Sequence, residues 1–143
     1  MKIEQLSLFI ENHPGTLNDV CRLLAENNIN IRTLSLADTE QFGILRLLVD
    51  DYKKAQKVLS DAGIVVKVTE VLAIPVDDHV GGLAKLMEVI ARHNLNVEYM
   101  YAFTFGKGDN AVMVFRFEDT ERAVKELAVE NIGILDGIKE LFR

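Results

Sequence analysis

The sequence predicts an α+β fold of two ferredoxin-like βαββαβ units in tandem, each an antiparallel sheet with both helices on one face. The first observation is an internal repeat, because residues 13–31 match residues 79–97 at an offset of 66 positions. The second observation is that short stretches with strand periodicity are separated by longer stretches with helical periodicity. We therefore expect one structural unit used twice, with the first repeat over 1–68 and the second over 69–143.

The repeat extends beyond the first helix of each copy. Val49-Asp50-Asp51 matches Phe117-Glu118-Asp119 at an offset of 68, so the second copy has two extra residues before this point. We place them in the run Gly-Lys-Gly-Asp-Asn at 106–110 and predict a hairpin turn there. With Ala111 this run also matches a relaxed dinucleotide-binding fingerprint, but that motif requires a helix after it. Residues 112–115 have instead the composition of a strand.

The first strand and the first helix follow from the spacing of apolar residues. Residues 6–10 alternate, apart from Phe9, which predicts a strand with some burial on both faces. In the next stretch apolar residues recur at the i, i+3, i+4, i+7 spacing of one buried helix face. These residues are Leu17, Val20, Cys21 and Leu24. The helix is expected to end at Asn27-Asn28, because Asn tolerates the left-handed conformation that often ends a helix.

The remaining elements complete the unit. Residues 31–37 and 43–49 have the pattern of two strands joined by a turn. A second helix is expected to begin at Asp50 or Asp51, whose carboxylates suit an N-cap, and to end at Gly63. Its predicted buried residues are Ala55, Val58, Leu59 and Ala62. Residues 64–68 form the predicted fourth strand, and the second repeat is expected to follow the same order.

Composition and charge argue against several functions. The formal net charge is −6, and Lys and Arg are scattered, which argues against nucleic-acid binding. No apolar run approaches the roughly 18 residues of a membrane span, and the N-terminus lacks a signal-peptide pattern. We expect a cytoplasmic protein without a membrane partner. Cys21 has no intramolecular partner and the three His are spread too widely for a metal site, so no metal or cofactor is expected.

The loop between the first strand and the first helix is the candidate functional site. Residues 12–15, Asn-His-Pro-Gly, stand where the strand ends, and the following helix directs its unpaired N–H groups and positive dipole end toward them. Such a corner suits a carboxylate or a phosphate. From the residues alone, the role of Asn12 that is favoured is to satisfy only the backbone of the turn. His13 and His79, which recur at matching positions, can be ligand contacts or exposed loop residues without a role.

These residues resemble a known family. The run Glu-Asn-His-Pro-Gly-Thr-Leu at 11–17, with a helix ending Glu-Asn-Asn-Ile-Asn-Ile at 26–31, is similar to the ACT domain. ACT domains are small regulatory modules that bind amino acids in enzymes of amino-acid metabolism, and the similarity is greatest to the serine-binding domain of phosphoglycerate dehydrogenase. The resemblance implies a ligand between two domains. Its carboxylate and amine would be held by the first loop and by an Asn at the start of the second strand.

The resemblance implies ligand-binding positions in both repeats. In the first repeat they are Ile10, Asn12, His13, Pro14, Gly15, Thr16, Leu17 and Asn30. In the second repeat they are Val76, Asp78, His79, Gly81, Gly82, Leu83 and Asn96. Ile10 stands where the serine-binding relative has a ligand-contacting His, so serine is not singled out as the ligand. Asp78 replaces an amide by a group that only accepts hydrogen bonds, which suits an ammonium and opposes a carboxylate.

The predicted function is a non-catalytic sensor of a free amino acid, or a regulatory subunit that couples this binding to a partner enzyme of amino-acid metabolism. The two corners are expected to bind different ends of a ligand, to bind with unequal affinity, or to leave one site empty. A homodimer is expected because the sheet edges of so small a unit favour pairing. Two alternatives remain open: a structural interaction module without a ligand, and a small enzyme of ferredoxin-like fold.

Overall fold

The computed structural model describes residues 2–104 and 110–141. Four of the five residues of the predicted hairpin turn, 106–109, lie outside the described residues. The chain divides into two compact units. The first unit is Glu4–Thr69, and the second unit contains the residues from Glu70 onward together with the first residues of the chain. The division falls inside one strand, β4.

The first unit has the element order βαββαβ. Its elements are β1 Ile3–Glu11, α1 Thr16–Glu26, β2 Ile31–Thr39, β3 Phe42–Val49, α2 Tyr52–Asp61 and the beginning of β4 Val65–Asp77. The strands lie in the order β2-β3-β1-β4, and β3 is antiparallel to both of its neighbours. Leu6, Leu8 and Ile10 of β1 point to the helices and pack with Val20 and Leu24 of α1. One sheet face and two helix faces therefore form a single apolar core.

The second unit repeats this arrangement. After β4 come α3 Gly82–Arg92, β5 Val97–Thr104, β6 Asn110–Phe117, α4 Thr120–Val129 and the short α5 Ile138–Leu141. The strands lie in the order β4-β6-β5, with antiparallel pairing throughout. Phe115 and Phe117 stack with ring centroids 5.4 Å apart in the core. The predicted tandem ferredoxin-like fold is thus confirmed.

Local backbone geometry recurs at equivalent positions of the two units. Gly15 and Gly81, before α1 and α3, are both left-handed, with φ of 93° and 89°. Asn28 and Asn94, after the same helices, have φ of 58° and 53°. Positive φ values are uncommon, so their recurrence at equivalent positions shows that the two repeats share backbone conformation as well as sequence.

The predicted caps of the second helices are present. Asp51 accepts a hydrogen bond from the Lys54 backbone N–H at 3.1 Å, and Asp119 accepts one from the Arg122 N–H at 3.0 Å. Each carboxylate therefore satisfies one of the free donors at a helix start. After each helix the chain turns through a left-handed residue, Gly63 in the first unit and Asn131 in the second.

Two predicted buried residues are not buried. Leu17 is 37% exposed, because side chains of a helix tilt toward its N-terminus and Leu17, in the first turn of α1, projects over the loop. Ala62 is exposed because it lies at the C-cap of α2, beyond the turns that face the sheet. The other predicted positions of these two faces are buried or half-buried.

The end of the second unit differs from that of the first. Residues 132–136, which match the last strand of the first repeat, are not in a regular strand. The Leu135 N–H donates to the Ala73 carbonyl of β4 at 2.9 Å, and Ile132 and Ile134 pack on the core. The segment therefore covers the core as the predicted strand would, with less backbone pairing.

Two further findings concern only the described residues. None of their helices is both long and apolar enough to cross a membrane. Within the same residues, no cluster of three or more His, Cys, Asp or Glu side chains is arranged to hold a metal ion. Cys21 is half-buried with a free thiol.

Candidate functional site

The first corner consists of the loop Asn12–Gly15 and the first turn of α1. Gly15 is the N-cap of the helix and has no side chain with which to cap it. The Thr16 N–H lies 3.4 Å from the His13 carbonyl, which is a long hydrogen bond. The positive end of α1 is therefore only weakly satisfied by the protein itself, as an anion site requires.

Asn12 is held by the turn between β2 and β3. Its side-chain Nδ2 donates to the Glu40 carbonyl at 3.1 Å and lies 3.3 Å from Asp38 Oδ1. Both contacts are acceptors, so the amide nitrogen of Asn12 is the group that the turn engages. The group that Asn12 can offer to a ligand is then its amide oxygen, which is an acceptor. The turn-stabilising role considered from the sequence is thus present, and these contacts hold the side chain in one orientation.

His13 closes the loop. Its Nδ1 lies 3.1 Å from the Pro14 carbonyl and its Nε2 lies 3.0 Å from a carboxylate oxygen of Glu11. The Thr16 hydroxyl also lies 3.1 Å from Nδ1, so each ring nitrogen has at least one hydrogen-bond partner. The hydrogen bond to the Pro14 carbonyl, and then that to Glu11, raises the pKa of His13 above its ordinary value. The raised pKa increases the protonated fraction of the His13 ring, which lies next to the start of α1.

A cavity of about 160 Å³ lies beside the first corner. Five of the predicted ligand-binding residues line it: Ile10, Asn12, His13, Thr16 and Leu17. Leu36, Ala37, Asp38 and Gly43 form the rest of the wall with Glu11. A Cβ at Gly43 would stand 3.2 Å from the Leu36 side chain, so glycine keeps this wall free of a tight contact. The cavity is smaller than the ~300–1,000 Å³ of drug-sized sites and suits a small metabolite.

The second corner, at Asp78–Gly81 and the start of α3, has the same loop geometry. His79 Nδ1 lies 3.0 Å from the Val80 carbonyl, and its Nε2 lies 3.4 Å from Asp77. The Gly82 N–H donates to the His79 carbonyl at 3.0 Å, a shorter bond than that of Thr16. A Cβ at Gly82 would stand only 2.0 Å from the Asp77 carbonyl oxygen. The second loop is therefore drawn more tightly onto its helix.

The second corner also presents predicted residues at its surface. Val76 is buried in the core of the unit, whereas Asp78 and Gly81 are exposed and Leu83 is 39% exposed. The Asp78 carboxylate is an acceptor, like the amide oxygen that Asn12 can present. The difference between Asp78 and Asn12 is therefore smaller than the sequence suggests, because both side chains can present an acceptor.

Asn30 and Asn96 lie apart from the corners. Asn30 lines a cavity of about 330 Å³ with Asp50, Asp51 and Lys54. Asn96 lines the equivalent cavity of about 340 Å³, where its Nδ2 donates to Glu118 at 3.2 Å. Within one unit α1 separates Asn12 from Asn30, and its 11 residues correspond to about 16 Å. The structure does not bring these two predicted residues together within a unit.

The first corner combines complementary charges. Acceptors come from Asn12, Asp38 and Glu11, while positive charge comes from the start of α1 and, when its ring is protonated, from His13. A free amino acid is a zwitterion and requires both kinds of partner. Sequence reasoning missed Asp38 and Glu40. Both residues lie in the predicted turn between the second and third strands. Antiparallel pairing of β1 with β3 places this turn beside the end of β1, as the pair Glu11 and Phe42 shows.

Comparisons with known proteins agree with this architecture. A family model described as an ACT domain pair matches residues 1–140. A crystal structure of a Bacteroides thetaiotaomicron protein is 35% identical over 94% of this chain and 92% of that chain, with a TM-score of 0.88. No curated protein matches at a significant level.

Two more distant structures share the fold. They are the regulatory subunits of aspartate kinase from Thermus thermophilus and Thermus flavus, each 18% identical to this chain. Both alignments cover 88% of this chain; they cover 91% and 90% of the other chains, with TM-scores of 0.60 and 0.61.

Proposed function

Because the chain belongs to the family of ACT domain pairs, we propose that it is a non-catalytic amino-acid sensor that regulates a partner enzyme of amino-acid metabolism. The observation that carries the proposal is the first corner, where a small cavity is lined by an oriented acceptor and adjoins a weakly satisfied helix start. The description of two structures of this fold as regulatory subunits of aspartate kinase supports a regulatory role.

The ligand would bind as a zwitterion. Its carboxylate would accept hydrogen bonds from the backbone N–H groups of Gly15, Thr16 and Leu17, next to the positive charge of His13. Its ammonium would donate to Asn12 Oδ1, with the Asp38 carboxylate on the same wall. Leu36 and Ile10 would contact its side chain. The cavity volume favours a small amino acid over an aromatic one.

The second corner is proposed as a weaker site. Its residues correspond to the first corner through Val76, Asp78, His79, Gly81, Gly82 and Leu83. The shorter bond of the Gly82 N–H competes better with a ligand carboxylate than that of Thr16 does. Exposed Asp78 also puts a charged acceptor where the first corner has the neutral amide of Asn12. Unequal affinity of the two repeats is therefore favoured over equal binding.

Regulation would arise through linkage between ligand binding and domain pairing. A single amino acid cannot span the roughly 16 Å between Asn12 and Asn30 of one unit. A ligand that used both the start of α1 and Asn30 would have to bridge two copies of the chain. It would favour the arrangement in which they meet and thereby alter the affinity for the partner enzyme. We propose domains 1–68 and 69–143 and a homodimer as the assembly in which this occurs.

A thermal-shift screen of the twenty amino acids tests the proposal. A ligand present at a hundred times its dissociation constant should stabilise the chain by roughly 2.7 kcal/mol. Asn12→Ala should remove most of this gain, because it deletes the oriented acceptor. Asn18→Ala is the matched control, since Asn18 is an exposed Asn of α1 outside the cavity wall.

Each alternative gives a different result in this screen. If none of the amino acids shifts the transition, the chain is a structural module and the sensor proposal is wrong. If an amino acid is consumed during incubation, as followed by chromatography, the chain is an enzyme. An equal response of Asn12→Ala and Asn18→Ala would move the site away from the first corner.

A further inference from the structure

Gly43 lies in β3, although neither its backbone conformation nor the strand pairing requires a glycine there. Its φ is not positive, and the registers of β3 with β1 and with β2 continue through it without a shift. A glycine inside a strand weakens the strand and, where there is no bulge, often marks a place that a ligand or another backbone approaches closely. What distinguishes position 43 is therefore the absence of a side chain.

The side chains around Gly43 belong to one face of the sheet. Gly43 is paired with Ile10 of β1 and with Asp38 of β2, so these three positions share the face that packs against α1. Leu36 lies on the same face, because it is paired with the core residue Leu45. Strand alternation therefore places Ile10, Leu36 and Asp38 around the position where the side chain is missing.

The missing side chain leaves a space between Ile10 and Leu36, which we call the Gly43 slot. All three residues line the cavity of about 160 Å³ beside the first corner. A Cβ at Gly43 would stand 3.2 Å from Leu36 Cδ1, 3.5 Å from Ile10 Cγ1 and 3.7 Å from the backbone carbonyl oxygen of Ala37. The nearest side-chain atoms are thus aliphatic carbons, which offer a polar group no hydrogen bond.

Asp38 lies across Gly43 from Ile10 and takes part in the polar end of the cavity. Its Oδ1 lies 3.3 Å from Asn12 Nδ2. In the proposed binding mode this end of the cavity receives the ammonium group of the ligand. The side chain of the ligand is then left to face Ile10, Gly43 and Leu36.

The second unit does not have this slot. Its strands pair in the same register, with Val76 opposite Ala111 and Ala102 opposite Met113. The positions of Ile10, Gly43 and Leu36 are therefore held by Val76, Ala111 and Ala102. A methyl group stands where the first unit has free space, and the longer wall residue is replaced by alanine. The Gly43 slot is a property of the first unit.

We propose that the Gly43 slot selects an α-amino acid with a short aliphatic side chain, such as valine or 2-aminobutyrate, over the hydroxylated isosteres threonine and serine. This inference rests on the proposed amino-acid binding at the first corner and adds the class of amino acid and the residues that select it. Ile10 and Leu36 contact the aliphatic side chain, and Gly43 sets its length. A hydroxyl group in the same place loses its water without gaining a side-chain partner.

The test is isothermal titration calorimetry of the full chain with two isosteric pairs. Valine should bind at least about tenfold more tightly than threonine, and 2-aminobutyrate at least about tenfold more tightly than serine. Equal binding within the pairs, or tighter binding of the hydroxylated members, would overturn the proposal and leave amino-acid sensing intact. The same conclusion follows if only amino acids outside these pairs bind. If none of the twenty amino acids binds, both proposals are wrong.

Gly43→Ala tests the slot by placing a methyl group in it. Leu36 is 51% exposed and its side chain can move outward, so the free energy of unfolding should not fall. The ratio of valine affinity to alanine affinity should fall at least about tenfold, because the longer side chain loses its space. Gly133→Ala should keep the native ratio, since a Cβ there meets nothing within 4 Å. An unchanged ratio in Gly43→Ala would overturn the proposal.

Leu36→Asn tests the polarity of the wall, because it nearly keeps the size of the side chain and adds hydrogen-bonding groups. The preference for valine over threonine should shrink toward equality. Comparing two ligands in one variant cancels any effect of the substitution on assembly. Leu34→Asn is the matched control, since Leu34 is 46% exposed on the same face of β2 and lies outside the cavity wall. If both variants have the same valine-to-threonine ratio, the proposal is wrong.

Discussion

The close approach of Gly82 to Asp77 makes a quantitative prediction for the variant Gly82→Ala. A Cβ at position 82 would stand 2.0 Å from the Asp77 carbonyl oxygen, and ordinary contacts of this kind exceed about 3 Å. The loop would have to move by about 1 Å or more. Gly82 is the first residue of α3 and is buried, so the movement has to be taken up by the backbone of the loop.

The expected cost follows from what this movement disturbs. Weakening the hydrogen bond from the Gly82 N–H to the His79 carbonyl costs about 0.5–1.5 kcal/mol. Steric displacement of a packed backbone adds about 1–3 kcal/mol. The better helix propensity of Ala returns up to about 1 kcal/mol. Together these terms give a net loss of about 0.5–4.5 kcal/mol in the free energy of unfolding.

Urea unfolding of the full chain measures this loss, provided that the transition remains cooperative. The control is Gly133→Ala, because Gly133 has no positive φ and a Cβ there would meet nothing within 4 Å. If the two variants differ by less than about 0.5 kcal/mol, the inferred tightness of the second corner is wrong. The argument for its weaker ligand affinity would then lose its steric support.

Two further predictions concern pH and assembly. Hydrogen bonds to Glu130 and then to Glu126 raise the pKa of His93, so its stabilisation is complete below the unfolded-state pKa and is lost as pH rises through the higher folded-state value. The stability difference between the native chain and His93→Gln, measured by urea unfolding, should therefore shrink from pH 6 to pH 9; a constant difference contradicts this linkage. Leu34 is 46% exposed on β2, the edge strand of the first unit, so Leu34→Lys should dissociate the proposed homodimer in light scattering. Val129→Lys, at a 75% exposed position of α4, should not; a monomeric native chain would refute the dimer.

The fold could be predicted because its signals are local and are present twice. Strand alternation, helical spacing and the caps at Asp51 and Asp119 depend on residues close together in sequence. Because the pattern occurs twice, the assignment in one repeat supports the assignment in the other. Leu17 was misplaced because periodicity assigns a residue to a helix face but does not show that the first turn extends past the core. The irregular segment 132–136 was missed because apolar content resembles that of a strand whether or not the backbone is paired.

The candidate site was only partly accessible from sequence. The positions of the first corner could be inferred from the loop, but the orientation of Asn12 depends on Asp38 and Glu40, which lie 26 and 28 residues away. The cluster around His93 involves residues 33 to 38 positions apart. A signal for that cluster was present, because four neutral or acidic positions of the first repeat become two basic and two acidic ones in the second. Such a joint change of charge across two helices indicates contact.

The left-handed turn that ends the second helix of each unit is made by Gly63 in one copy and by Asn131 in the other. Two different residues thus adopt the same left-handed conformation at equivalent positions of one chain. The residue of one unit can therefore be tested in the other to raise stability. Gly63→Asn keeps a left-handed conformation that Asn tolerates and lowers the conformational entropy of the unfolded chain. Comparing equivalent positions of the two units therefore indicates which substitutions the fold accepts.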